Sequence, residues 1–341
     1  MIYLGSQKKS LEEYSPKVIC WLKIKVKGRR TKRNPNGHKC LNSECEFCNS
    51  KMQKKGGLDE NFRELLNNDS IVAGLIQGDP KKIFDINCSL VKDYTKGIEK
   101  NTQKYFEKLK KFNDEAKSLF VESGYTKWFL KTKQNYTLAT KLSRDTCTYC
   151  NRQYIFTLKK NGENSGMVPQ FGHWFPKGTY PLLALSFYNL IPSCSICNGS
   201  SIKGENPLNL KDHFHPYVDE EISDLFQFSF FKKSLRENII QIKQSPFNPK
   251  IKRTADELQT ELLYKGHASR ELQDLIDLRY KYSQNYLDIL FNKTFKKGNL
   301  VMSEAEKYRL IFGIETERDN YHKRPLSKFK HDIIKELLNI K

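Results

Sequence analysis

An α+β fold is expected of this 341-residue chain: a small zinc-stapled unit of short strands set between helical amino-terminal and carboxy-terminal regions. Three observations predict it. Two Cys-x-x-Cys pairs, Cys147/Cys150 and Cys194/Cys197, bracket a compositionally distinct middle over 147–210. Apolar residues recur at helical spacing from about 57 to 143, and again from about 254 to 340. Between them, short apolar runs separated by turn residues read as strands. The divisions fall at 1–143, 144–250 and 251–341.

In the first region, "VICWLKIKVK" (18–27) ends in apolar/basic alternation, which reads as a strand with one cationic face. "HKCLNSECEFCNSK" follows. His38, Cys40, Cys45 and Cys48 are a possible tetrahedral set for a second zinc, though their spacing is looser than in common knuckles, and free thiols in a loop are the competing reading. "DENFRELLNN" places Phe62, Leu65 and Leu66 on one helical face. "NTQKYFEKLKKFNDEAKSLFVESG" does the same with Tyr105, Leu109, Phe112 and Ala116, and Gly124 is its expected stop. In the middle region "RQYIFTLKK" and "MVPQF" read as strands joined by the turn "NGENSG". "DLFQFSFFKKS" and "NIIQIKQ" form a second pair. In the last region Leu272, Leu275, Ile276 and Tyr280 make one stripe, and Ser303 with Glu306 spells a capping box.

The two Cys-x-x-Cys pairs supply four thiolates. Each turn puts both sulfurs on one side of the backbone, and two turns complete a tetrahedron around Zn²⁺. A closed four-cysteine site leaves no position for water, so this zinc is expected to be structural. It staples a unit too small to be held by its own core. Between the knuckles stand His173, just after an expected strand, and Asn189; Asn198 directly follows Cys197. A lone histidine is ordinarily structural. The order strand–His, Asn, Cys-x-x-Cys-Asn is the layout of a ββα-metal nuclease site. There an imidazole faces a water, and a side-chain oxygen at the next helix faces a divalent cation.

"GHWFPKGTYPLLALSFYNLIPSCSICNGSSIKGENP" with "CTYCNRQY" upstream resembles the HNH endonuclease family. Within that family it is most similar to the HNH component of Septu-type antiphage defence systems. The resemblance covers 147–210. It implies His173 as general base, Asn189 as the residue fixing the loop between the strands, and Asn198 as ligand of a catalytic Mg²⁺ or Mn²⁺. It also implies an ATPase partner, and it makes Lys177 and Lys203 candidate phosphate contacts, with plain solvated lysines the equal reading. The residue before the histidine is normally acidic or histidine in that family and ligates the metal; here it is Gly172. Asp212 is a candidate substitute carboxylate. Gly172 keeps a second reading open, a catalytically inactive zinc-stabilised nucleic-acid-binding or scaffold module. His213 and His215 alternate, which as strand residues would put them on one face, but packing on Tyr217 is the simpler reading.

Charge points to the partner class. Fifty-nine Lys+Arg against 39 Asp+Glu give +20, and residues 23–33 hold seven basic residues and no acid. Nucleic acid is favoured, with an anionic protein surface behind it, because such an excess attracts polyanions before any specific contact forms; within nucleic acid, DNA is expected ahead of RNA such as tRNA. No apolar run of membrane-spanning length and no secretory signal is read, so a cytoplasmic protein with nine cysteines as thiols or metal ligands is expected.

Overall fold

The computed structural model describes residues 1–234, 237–281, 289 and 302–338. The alternation over 18–27 belongs to a helix, not a strand: α1 spans Lys8–Lys27. Tyr14, Val18, Trp21, Leu22 and Ile24 are all buried, at intervals of three and four that a helix brings to one side. Lys23 and Lys27, one turn apart, both reach the Asp69 carboxylate, at 3.0 and 3.1 Å. Lys25 between them reaches the Gln53 carbonyl instead, so three lysines with tertiary partners imitate a period of two. The helix ends at Gly28, whose φ of 77° suits glycine and whose N–H bonds to Ile24 O at 2.8 Å.

A long loop carrying α2 (Glu46–Asn49) leads to α3 (Glu60–Leu65), α4 (Asp69–Gln77), α5 (Pro80–Tyr94) and α6 (Gln103–Ala116). The last four start on Asp59, Asn68, Asp79 and Thr102, each accepting from a backbone N–H in the first turn. Phe112 and Ala116 are buried as expected, with Tyr105 and Leu109 at the margin. Gly124 does not stop this helix. The chain runs on as a π-helix over Lys117–Lys131, and a Cβ on Gly124 would lie 2.7 Å from Leu185 Cδ1. The glycine is there for close approach to the loop at 181–185. After α7 (Gln134–Leu142) the middle region begins.

β1 (Leu158–Lys160) and β2 (Glu163–Met167) form a hairpin on Asn161-Gly162, both at positive φ. The strand expected over 152–160 is thus confined to its last three residues. "MVPQF" divides between β2 and β3 (Gln170–His173), which pairs antiparallel with β4 (Leu190–Ser193). The helices α8 (Ser195–Asn198) and α9 (Ile222–Leu225) precede the expected second pair, β5 (Phe228–Ser234) and β6 (Glu237–Ile242).

The last region contains α10 (Lys250–Glu257), α11 (Thr260–Lys265), α12 (Gln273–Lys281) and helices Glu304–Phe312 and Ser327–Leu337. Leu272, Leu275 and Ile276 are buried, but Tyr280 is 81% exposed, so the stripe ends one turn early. Both halves of the Ser303–Glu306 capping box are formed. All three regions contribute to one continuous cluster of buried side chains, from Met1 to Ile334. Among the described residues, no helix is long and apolar enough to cross a membrane.

Candidate active site and the cysteine clusters

Cys147, Cys150, Cys194 and Cys197 come together: all four are buried and their sulfurs lie within 4.8 Å of one another. The two knuckles are built alike. Backbone N–H groups point at sulfur, Arg152 N to Cys150 Sγ at 3.4 Å and Cys197 N to Cys194 Sγ at 3.5 Å. Thr148 N bonds to Pro192 O, tying the first knuckle to β4. The donor set fits zinc, since four thiolates in a closed pocket match its tetrahedral preference.

The second knuckle fixes the start of α8, with Cys194 as its N-cap. The path β3, loop, β4, α8 is therefore held at the cluster through β4 and α8, and β3 is carried by its pairing with β4. Register pairs Gly172 with Ile191 and His173 with Leu190. The loop between the strands winds through two short 3₁₀ turns, Pro181–Leu185 and Phe187–Asn189. Asn189 holds it shut. Fully buried, its Oδ1 accepts from Phe175 N at 2.6 Å, and its Nδ2 donates to Phe175 O and Leu183 O at 3.1 and 2.9 Å. Replacing it with alanine leaves Phe175 N and O unpaired in the interior and takes one of two bonds from Leu183 O, which Ser186 N also reaches, an expected loss of about 3 kcal/mol in chemical denaturation. Asn189→Asp should be no better, because a carboxylate would face two carbonyls.

Winding the loop this way brings Ala184 O to His173 Nε2, at 3.0 Å. A carbonyl only accepts, so Nε2 carries the proton of the neutral ring and Nδ1 keeps its lone pair. Burial, with the Lys177 and Lys203 charges adding to it, pushes the His173 pKa down to about 3, so the ring is neutral through the physiological range. The Tyr125 ring packs edge-on at 4.5 Å, and its hydroxyl donates to Phe171 O at 3.0 Å. Tyr125 comes from the π-helix that Gly124 lets approach.

His173 lines a cleft of about 510 Å³ together with Tyr125, Gln170, Lys177, Asn198 and Glu205. Asn198 donates through Nδ2 to Gln170 Oε1 at 2.9 Å, while its Oδ1 sits 2.9 Å from where a Cβ on Gly172 would stand. The asparagine oxygen thus fills the space that a longer residue at 172 would claim. Lys177 faces the cleft and pairs with Glu205 at 3.6 Å. Lys203, expected on the surface as a phosphate contact, is buried, with its ammonium on Gly204 O. Asp212, the sequence's candidate carboxylate, is absent from the cleft lining; it pairs with Arg253. Neither His213 nor His215 is in a strand. His213 Nδ1 accepts from Asn209 N, and the His215 ring packs tilted against Trp174, with centroids 4.6 Å apart.

The carboxylate that does reach the cleft is Glu205, which the sequence reading passed over although it lies in the quoted "IKGENP". Mg²⁺ is commonly held by one or two carboxylates with substrate phosphates and water completing its shell. The Asn198 amide oxygen and the Glu205 carboxylate fit that modest demand. Asn151, in "CTYCN", was also unforeseen. Its side chain donates to Thr146, Tyr321 and Arg324 and accepts from Lys328 N, which joins the first knuckle to the last region of the chain.

The second cysteine group is not the one expected. Cys40, Cys45 and Cys48 gather with Cys20 from α1, and His38 lies outside the set. Both four-cysteine groups have the donors to hold zinc.

Sequence comparison adds a relative. The chain is similar to a Septu protein PtuB. That protein, from Bacillus thuringiensis, is 31% identical over 127 residues, a match covering 36% of this chain and 44% of PtuB. The match therefore spans less than half of the relative's length. No family model and no solved structure matches the chain.

Proposed function

We propose that the chain is a divalent-metal-dependent HNH endonuclease that hydrolyses phosphodiester bonds of nucleic acid. The observation that carries this is one cleft lined by a histidine of fixed tautomer and by the Asn198 amide, both anchored to a four-cysteine cluster. The β3–β4 hairpin followed by α8 supports reading the unit as ββα-metal.

In this reading His173 Nδ1 takes the proton of a water as that water's oxygen attacks phosphorus. The bond from phosphorus to the leaving sugar oxygen breaks, that oxygen takes a proton from water, and the proton on the imidazole returns to solvent. Ala184 O holds the ring on target, and Asn189 holds the preceding residue, Leu183, through its carbonyl. Lys177 supplies positive charge at the mouth. A Mg²⁺ or Mn²⁺ held by Asn198 and Glu205 would stabilise negative charge on the phosphate and the leaving oxygen. Similarity to a Septu protein supports an antiphage role as the effector of a complex with an ATPase partner, acting in the cytoplasm. The basic excess fits a nucleic-acid substrate without choosing between kinds; DNA is the substrate proposed first and RNA such as tRNA the second.

Plasmid nicking by the purified protein in Mg²⁺ and then Mn²⁺, with and without the ATPase partner, tests the reading. Metal-dependent nicking abolished by EDTA is expected. DNA retained in a salt-dependent manner but never cut would select the binding module that Gly172 keeps open. Neither binding nor cutting would leave a protein scaffold.

A further inference from the structure

We propose that Cys20, Cys40, Cys45 and Cys48 hold a second, structural zinc ion, which clamps the basic loop after α1 onto that helix. Four sulfurs lie within 4.8 Å of one another. Cys20 and Cys45 are 3.4 Å apart, Cys20 and Cys48 3.5 Å, and Cys40 and Cys48 3.6 Å. A Zn–S length of about 2.3 Å puts the sulfurs of a tetrahedron about 3.8 Å apart. A disulfide would need about 2.05 Å. The set is thus spaced for an ion, as is the first cluster, where Cys150 and Cys194 are 4.0 Å apart.

The local fold requires such a clamp. Between Gly28 and Leu58 the chain has one four-residue helix and two isolated bridges, Arg29 with His38 and Thr31 with Asn34. Its only fully buried apolar side chains are Phe47 and Leu58. That is too little apolar area to order a segment this long, so another anchor is needed. Cys20 supplies the fixed end, since it is buried on α1, while the other three ligands come from the loop. Cys40 N bonding to Cys48 Sγ at 3.4 Å is the N–H···S contact that also recurs at the first cluster.

His38 is excluded as the fourth ligand by position. Its Nε2 is buried without a partner, and burial holds its pKa below the usual value, but its nitrogens are not within the sulfur set. The loop so held carries Arg30, Lys32 and Arg33, all exposed. Cysteine arithmetic agrees: two groups of four account for eight thiols, and Cys88, exposed on α5, remains.

Metal analysis of the full-length protein decides the matter. Two zinc ions per chain are expected in the wild type, falling to one in Cys20→Ser and staying at two in His38→Ala. Limited trypsin digestion of Cys20→Ser should cut within 29–39 at least tenfold faster than in the wild type, while the remainder of the chain stays resistant. One zinc per wild-type chain, with these four thiols open to a thiol reagent in the folded protein, would overturn the proposal. So would loss of an ion in His38→Ala with none lost in Cys20→Ser. The wild-type count stands even if the serine variant fails to fold.

Discussion

Cys197→Ser is expected to unfold the middle of the molecule, not merely to weaken it. Removing one thiolate from a closed four-cysteine zinc site forfeits most of a binding free energy that, for small zinc modules, is on the order of 10 kcal/mol. Typical domains have a total stability of about 5–15 kcal/mol, so the loss is comparable to the whole. The damage should spread, because the knuckles organise both neighbours. Thr148 N is bonded to Pro192 O in β4, Tyr264 OH to Cys150 O at 2.6 Å, and Asn151 to the last region. Zinc content, near-ultraviolet circular dichroism and thermal unfolding should therefore fail together. Retention of a cooperative transition within a few degrees of the wild type would show that packing around Trp174 and Phe187, not metal, holds the unit.

What could be read from the sequence was what rests on short spacing. The Cys-x-x-Cys pairs, the β5–β6 hairpin and the capping box are local patterns, and each was formed as expected. The misreadings share a different cause. The lysines of 23–27 alternate while their partners are tertiary, Asp69 for Lys23 and Lys27 and the Gln53 carbonyl for Lys25, so the period of two marks no strand. Gly124 resembles a stop because glycine usually ends helices; its use against Leu185 depends on a partner remote in sequence. Cys20 escaped for the same reason, since it belongs to no knuckle motif and meets one only through the packing of α1. The site residues follow suit. His173, Asn189 and Asn198 stand out by their order and by the family resemblance, and the cleft lining gathers His173 and Asn198. Tyr125 and Glu205 could not be found that way, because what puts them there is the approach of the π-helix and the turn after α8.

His173→Ala is expected to lower metal-dependent cleavage by about 10²–10⁴-fold, the usual worth of a positioned general base. The fold should survive, since the change removes one hydrogen bond, to Ala184 O, and opens a cleft that already exists. Zinc content is the control: it should not move. The companion variant is Gly172→Asp. Its new Cβ would meet Asn198 Oδ1 at 2.9 Å and Ser193 Oγ at 3.2 Å. Backbone strain does not enter, because the residue sits in a regular strand and the nearest obstacle is the far end of a side chain. Asn198 can yield by giving up its single bond to Gln170. The carboxylate would then add charge beside an amide oxygen, which a hard divalent cation favours. The expected result is a lower Mg²⁺ concentration for half-maximal cleavage, on the order of tenfold, with Asn198→Ala shifting it the other way. If Gly172→Asp leaves the metal dependence unmoved while His173→Ala still abolishes cleavage, the cation sits elsewhere in the cleft, and Glu205→Gln becomes the variant that must raise the requirement.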